Sequence, residues 1–290
     1  MSLESLFLSP DRLIRRFQHP TVFSRAMWVY LLMTILILGL LMALYVQSVA
    51  VILIAGLVVI FYWFFNNLYD AYLLSKAMLI DRNAFPDLYQ RVYDIKKTLN
   101  YCRPLKIHIT KRAAEVKITS IFGRKRLMIG IDMLRKGVGE REVDFMIARA
   151  ITIYKMKEIY LSLFASILDE MERIIIFNPF LYTFERALEL SADRIASLFS
   201  GSPEYCMKMI RFSMMGLSAL ELNEFGLENT DKFQESFWDW LMYAFTKKPS
   251  PLKRMLEIEK FYENYKILFV KRHESDGYKN TRQPIMIEFN

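Results

Sequence analysis

Histidine and cysteine are scarce in this chain, and their scarcity limits its chemistry at the outset. Only three histidines, His19, His108 and His273, occur in 290 residues. A catalytic zinc takes three protein ligands, so few histidine-based metal sites can be assembled. The two cysteines, Cys102 and Cys206, stand far apart without metal-type spacing. That excludes a disulfide framework and fits a reducing compartment. There is no internal repeat and no low-complexity segment. Basic residues outnumber acidic ones, giving a formal charge of +8, but they are scattered rather than grouped and no nucleic-acid motif accompanies them. The excess of positive charge is better matched to anionic lipid, at about 1 kcal/mol per Lys or Arg near a membrane surface.

Charge is missing altogether from Ala26 to Tyr69. A membrane-spanning helix needs roughly 20 apolar residues, so this stretch has room for two. Gln47-Ser48 is the polar break near its middle, which predicts a tight hairpin, Trp28 to Val46 out and Val49 to Phe65 back. Arg12, Arg15, Arg16 and Arg25 precede the run, and Lys76 and Arg82 follow it. By the positive-inside rule both flanks are cytosolic. The apolar run continues far past Ser48 and Ala50, unlike a cleaved signal peptide. Ahead of it, Ser9-Pro10-Asp11 has the form of a helix start. Leu13, Ile14 and Phe17 then share one side of a short helix, either interfacial or a solvated basic lead-in.

Beyond the hairpin the pattern alternates between helix and strand. Leu88, Val92, Ile95 and Leu99 space a helix beginning near Phe85-Pro86. Leu105 to Thr110 alternates as a strand with His108 on its polar phase, a surface position by default. Glu115 to Phe122 and Leu127 to Ile131 read as two more strands, turned at Gly123-Arg124-Lys125. A long helical region follows from Tyr160 to Tyr182, too charged after Leu168 to span a bilayer. Further helices cover Phe184 to Phe199, Met207 to Leu222, Asp231 to Phe245 and Leu252 to Asn264. The tail has a strand-like run at Ile267 to Val270, a polar linker at Ser275 to Thr281 and a closing Ile285-Met286-Ile287.

Between the strands and the later helices lies Glu142 to Tyr154, whose apolar residues Val143, Met146, Ile147, Ala150, Ile151 and Tyr154 recur at steps of three and four. That period predicts a helix with one buried face. Arg149 and Ile153 are four apart and project from the same side. A zinc peptidase carries His-Glu-x-x-His at such a spacing, but the slots here hold Arg149, Ala150 and Ile153. None of the three can hold zinc or take a proton from water. Glu189 and Asp193, also four apart, share a face of the Phe184 to Phe199 helix, a pattern common on solvated acidic faces.

In this order the segments resemble the HtpX-like family of membrane zinc metallopeptidases, which includes the CAAX prenyl protease and Oma-type relatives. The resemblance covers roughly Ala84 to Glu259. Phe85-Pro86-Asp87-Leu88-Tyr89 is similar to the family's Phe-Pro-Glu-Leu-Tyr opening, and Arg103 to Ile109 to its Pro-x-Val-Tyr-Ile strand. Glu142 to Ala148 is similar to the lead-in to the zinc motif. Glu189-Leu190-Ser191-Ala192-Asp193 matches Glu-x-x-Ala-Asp, where the family keeps a third zinc ligand and a supporting aspartate. Lys248-Pro249 to Arg254 resembles His-Pro-Pro-x-x-x-Arg, and Ile118 to Gly123 stands where the family has Asn-Ala-Phe-Ala-x-Gly.

The departures fall on the chemistry. The resemblance puts Arg149, Ala150 and Ile153 at the first histidine, the general base and the second histidine, and Lys248 at the late histidine. Only Glu189 and Asp193 remain, and one surviving ligand makes no catalytic zinc site. The expected fold is mainly α with a small β-sheet: a transmembrane hairpin and a metallopeptidase-like α+β domain. Its expected parts are residues 1–25, 26–69, 70–265 and a tail, 266–290. The expected function is that of a pseudopeptidase without cofactor, anchored in a bacterial inner membrane with most of the chain cytosolic. It would bind a membrane protein or complex through the old cleft, or through Lys117, Ile118, Thr119, Ser120 and Ile121 by strand addition. The alternatives are a purely structural subunit, a hydrolase using Cys206 as nucleophile and His108 as base, or a metal held at Glu189 and Asp193. If the family geometry persists, Arg149 pairs with Glu189 and Asp193 accepts a second bond.

Overall fold

The first helix is drawn into the core rather than laid on a surface. The computed structural model describes residues 10–45, 49–83, 85–111, 115–121, 124–135, 138–161, 178–215, 246 and 248–275. In α1 (Pro10–Phe17) Ile14 and Phe17 are 0% and 2% exposed, and Phe17 meets Phe261 edge-on at 5.5 Å. Burying such a side chain contributes about 1.5–3 kcal/mol, more than an arginine gains at a lipid surface. Packing therefore sets this helix's position, and the interfacial expectation for its apolar side is corrected. Arg12, Arg15 and Arg16 remain exposed.

The helix α2 (Val22–Tyr45) begins earlier than the sequence pattern predicts. Val22, Ala26, Val29 and Met33 form a buried stripe at steps of four, three and four. They face α6 (Asn178–Ser200), because an α-helix returns each of those positions to one side. His19 N–H donates to Ser191 Oγ at 2.8 Å, and Arg25 Nη1 to the Thr183 carbonyl at 2.8 Å. These bonds pin the α1–α2 joint to the same helix. The remaining surface of α2 is apolar and open, with Phe23, Trp28, Ile35, Leu41 and Tyr45 all exposed. Val22–Ala43 is long and apolar enough to cross a membrane, and it is the one such helix among the described residues. The next helix, α3 (Val49–Ser75), also exposes apolar side chains, including Leu53, Leu57, Phe61 and Tyr72.

After α3 come β1 (Met78–Ile80), α4 (Pro86–Thr98), β2 (Lys106–Thr110), β3 (Val116–Ile121) and β4 (Arg124–Gly130). The sheet order is β1-β2-β4-β3, with β2 and β4 parallel and the other pairs antiparallel. Three-residue β1 was not expected, being too short to show alternation. β4 begins at Arg124, earlier than expected. One sheet face presents Ile107, Ile109, Leu127 and Ile129 to the core. The other carries His108, Met128 and Thr110, which are buried as well. His108 is 5% exposed, so its expected surface position is corrected: the middle of the second sheet face is buried, while Lys106 and Leu79 at its margin stay exposed.

A 3-10 turn (Ile131–Leu134) leads to the central helix, α5 (Glu140–Tyr160). The Glu142 carboxylate accepts the Gly139 N–H at its start and also takes Lys208 Nζ at 2.6 Å. The helix was expected to bury one face. Instead Val143, Phe145, Met146, Ile147, Ala148, Arg149, Ala150, Ile151 and Thr152 are buried in sequence, because the sheet, α4, α6 and α7 (Pro203–Met215) surround it. The last helix, α8 (Pro251–Ser275), runs straight through Ile267 to Val270, correcting the strand-like reading there and crossing the expected boundary at residue 266. The expected Gln47-Ser48 turn, most of the Tyr160 to Tyr182 helix, the Asp231 to Phe245 helix and the tail beyond Ser275 lie outside the described residues. Across the described residues the protein is mostly helical with a small four-stranded mixed sheet.

Candidate functional site

The residues singled out by sequence converge where α5, α6 and α8 meet. Arg149, on α5, is 4% exposed, and its Nε donates to Asp193 Oδ1 at 2.8 Å. Its Nη2 is in ion-pair contact with Glu189 Oε2. From α8, Arg254 Nε donates to Asp193 Oδ2 at 2.7 Å and Arg254 Nη2 to Oδ1 at 2.8 Å. Asp193, 0% exposed, thus accepts a forked pair from one arginine and a further bond from another. Such charge-assisted bonds are the strong class of hydrogen bond. Two guanidiniums and two carboxylates cancel, which the interior requires because an unpaired buried charge is very costly.

The pairing of Arg149 with Glu189 follows the expectation from sequence, but the weighting differs. Asp193, expected to take a secondary bond, is the hub, and Arg254 completes the set. The spacing of the Lys248-Pro249 to Arg254 stretch marked Arg254, although it gave that residue no role. Burial pulls the Arg149 guanidinium down to about 10, with the neighbouring Arg254 adding to the effect and Asp193 opposing it. At neutral pH the group remains a cation and cannot accept a proton.

Toward solvent the arrangement continues in a looser pair. Lys248 Nζ donates to Glu115 Oε1 at 2.7 Å, with the two side chains 48% and 35% exposed. Burial pushes the Glu115 carboxyl up, but Lys248, then Lys117 and Arg149, outweigh it and leave the group below its ordinary value. Glu115 was missed by sequence reasoning, since a lone acid before a strand carries no pattern. Ala150 is buried and Ile153 half-buried on α5. Neither supplies a donor.

The fit to zinc fails on chemistry. A guanidinium lies on the two carboxylates that a divalent ion would need, and Lys248 brings a second cation to the approach. His19 is near Glu257 and Arg194, and His108 is on the sheet. Among the described residues, no three of His, Cys, Asp and Glu are grouped to hold a metal ion. The metal expectation at Glu189 and Asp193 therefore gives way to an arginine site. The Cys206–His108 pairing also fails. Cys206 lies on α7 beside Ser200, with its sulfur 2.9 Å from Ser200 Oγ, whereas His108 lies between Leu79 and Met128. Burial pushes the Cys206 thiol up to about 12, the opposite of an activated nucleophile.

As strand addition requires, β3 is an outer strand. Gly130 N–H bonds to the Glu115 carbonyl at 2.9 Å, so with alternating pairing the Ile118 backbone points away from β4. Tyr154 Oη donates to that Ile118 carbonyl at 3.0 Å, while Lys125 and Lys157 stand over its ring at 4.7 and 5.3 Å. Ile118, Ser120 and Ile121 are buried, and Lys117 and Thr119 half-buried. An added segment would have to displace Tyr154. No protein-family model, curated protein or solved structure matches the chain.

Proposed function

We propose that this protein is a membrane-anchored pseudopeptidase, related to the HtpX-like metallopeptidases, that binds a membrane protein or membrane complex without cutting it. The observation that carries the reading is the Arg149 guanidinium seated on Glu189 and Asp193. A hydrolytic centre needs an open metal position or a base able to take a proton from water, and this constellation offers neither. It is a closed electrostatic tie between three helices. The apolar surface of α2 supports anchoring, and that of α3 supports a second span, making the hairpin. Basic residues at both ends of the uncharged run put both termini on the cytosolic side of an inner membrane.

Docking against the mouth of the old cleft, around Lys248 and Glu115, is the retained capacity. The β3 route is a second docking position, opened when Tyr154 releases Ile118. A photo-crosslinker at Ile153 or Lys248 is expected to capture a membrane protein that one at Tyr93, exposed on α4, does not. Equal capture from both positions would argue for a structural subunit whose cleft is unused. Elemental analysis of the purified full chain is expected to find no stoichiometric zinc. About one zinc per chain after mild purification would overturn the pseudopeptidase reading.

A further inference from the structure

The sheet face away from the core carries a second charged site with the opposite character. Alternation along β2 puts Lys106 and His108 on one face, and the parallel register sets Arg126 directly opposite Lys106. Thr119, across from Arg126 on β3, borders the pair. Neither Lys106 nor Arg126 has a carboxylate partner among the described residues. Like charges directly opposite in a sheet repel. Two residues along β2 on the same face, opposite Met128, sits His108. It is 5% exposed, and among the described residues its Nδ1 has no hydrogen-bond partner, as is also true of Arg126 Nε. A buried polar atom left unpaired is destabilising. One anion would relieve both defects, accepting from Arg126 and from the Nδ1–H of a neutral His108 while screening the two cations from each other.

The surroundings select the kind of anion. Leu79, directly opposite His108, is 51% exposed. Only Lys76 and Ala77 separate β1 from α3, whose last turns expose Phe65, Leu68 and Tyr72. Apolar surface thus leads directly to the cation pair, matching acyl chains beside a charged head group. We propose that this face binds the head-group phosphate of an anionic phospholipid, held by Lys106, His108 and Arg126. The proposal rests on the membrane-anchored reading of the chain.

The test uses the full chain in neutral detergent, titrated with phosphatidylglycerol, phosphatidylcholine or inorganic phosphate, with bound ligand counted by native mass spectrometry. Phosphatidylglycerol is expected to bind at least about tenfold more tightly than phosphatidylcholine. Lys106→Gln with Arg126→Gln should weaken it by about 25-fold, roughly fivefold per cation, and His108→Phe should weaken it severalfold. Arg12→Gln with Arg15→Gln removes the same charge from exposed positions on α1 and should change affinity by no more than about twofold. Equal loss in that control would reduce the effect to diffuse attraction and overturn the site. So would unchanged binding in the Lys106/Arg126 variant, or inorganic phosphate binding as tightly as the lipid. If a variant unfolds, the three wild-type titrations still decide the matter. Carbonate extraction separates the two readings: release of the wild-type chain from membranes defeats the anchoring, whereas retention without lipid preference defeats only this site.

Discussion

The two sides of this protein's sheet handle charge in opposite ways. On the core side, where α5, α6 and α8 meet, Arg149 and Arg254 are matched by Glu189 and Asp193, and Lys248 by Glu115. On the far side, Lys106 and Arg126 face each other with no acid beside them among the described residues, and His108 has an unpartnered nitrogen there. A site whose charges are mutually satisfied gains little from a charged ligand, whereas one left with unpaired cations gains much. The position that the sequence likened to a metal centre is therefore the one whose charges are mutually satisfied, and the less conspicuous face carries the unmatched charge.

The largest effects are expected in the closed site. Removing one member of a buried ion pair costs about 3–5 kcal/mol, so Arg149→Ala and Arg254→Ala should each lower unfolding stability by that order in denaturant titrations. Losses below about 1 kcal/mol would mean that solvent already reaches the quartet. At the cleft mouth the contrast should shrink: Glu115→Gln or Lys248→Ala is expected to cost ~0–1 kcal/mol, as for other exposed pairs. Because the folded Glu115 carboxyl lies below its ordinary value of 4.5, its contribution is complete above that pH. It fades as pH falls through the lower folded value. The stability gap between wild type and Glu115→Gln should accordingly be flat from pH 7 to about 5 and close below 4.5. A gap that widened in acid would contradict the pairing. The smallest effect has the opposite sign. In neutral detergent, Lys106→Gln should stabilise by a few tenths of a kcal/mol by removing a like-charge cross-strand neighbour. A marked loss there would mean that Lys106 has an acidic partner.

How much of this was legible in sequence depended on whether a feature is local. The uncharged run, the start of α4, the alternation of β2 and the period of α5 belong to short stretches, and each appears near its expected place. Arg149, Glu189 and Asp193 were brought together by spacing and resemblance, and their contact is present. What the sequence hid was coverage. Ile14 and Phe17 have the pattern of a surface helix, and only α6 and α8 make them core. His108 sits on a polar phase that looks solvated until it is seen buried beside Met128 and Thr110. The β-branched and aromatic character of Ile267 to Val270 suggested a strand, but α8 carries it as a continuation of the helix begun at Pro251, and strand propensity over four residues is a weak signal. The role of Arg254 depends on a partner far away in the chain, Asp193, which no local pattern reveals.

The most direct test of the closed site is a double-mutant cycle between Arg149 and Asp193, using Arg149→Ala, Asp193→Asn and their combination, read by equilibrium unfolding of the full chain in detergent. Residues in one buried network couple by about 0.5–3 kcal/mol. The expected result is a coupling near the upper end of that range, with the double variant recovering part of the loss caused by Arg149→Ala alone. Effects that add to within about 0.5 kcal/mol would show that the two groups act independently, and would contradict a site held closed by its own charges.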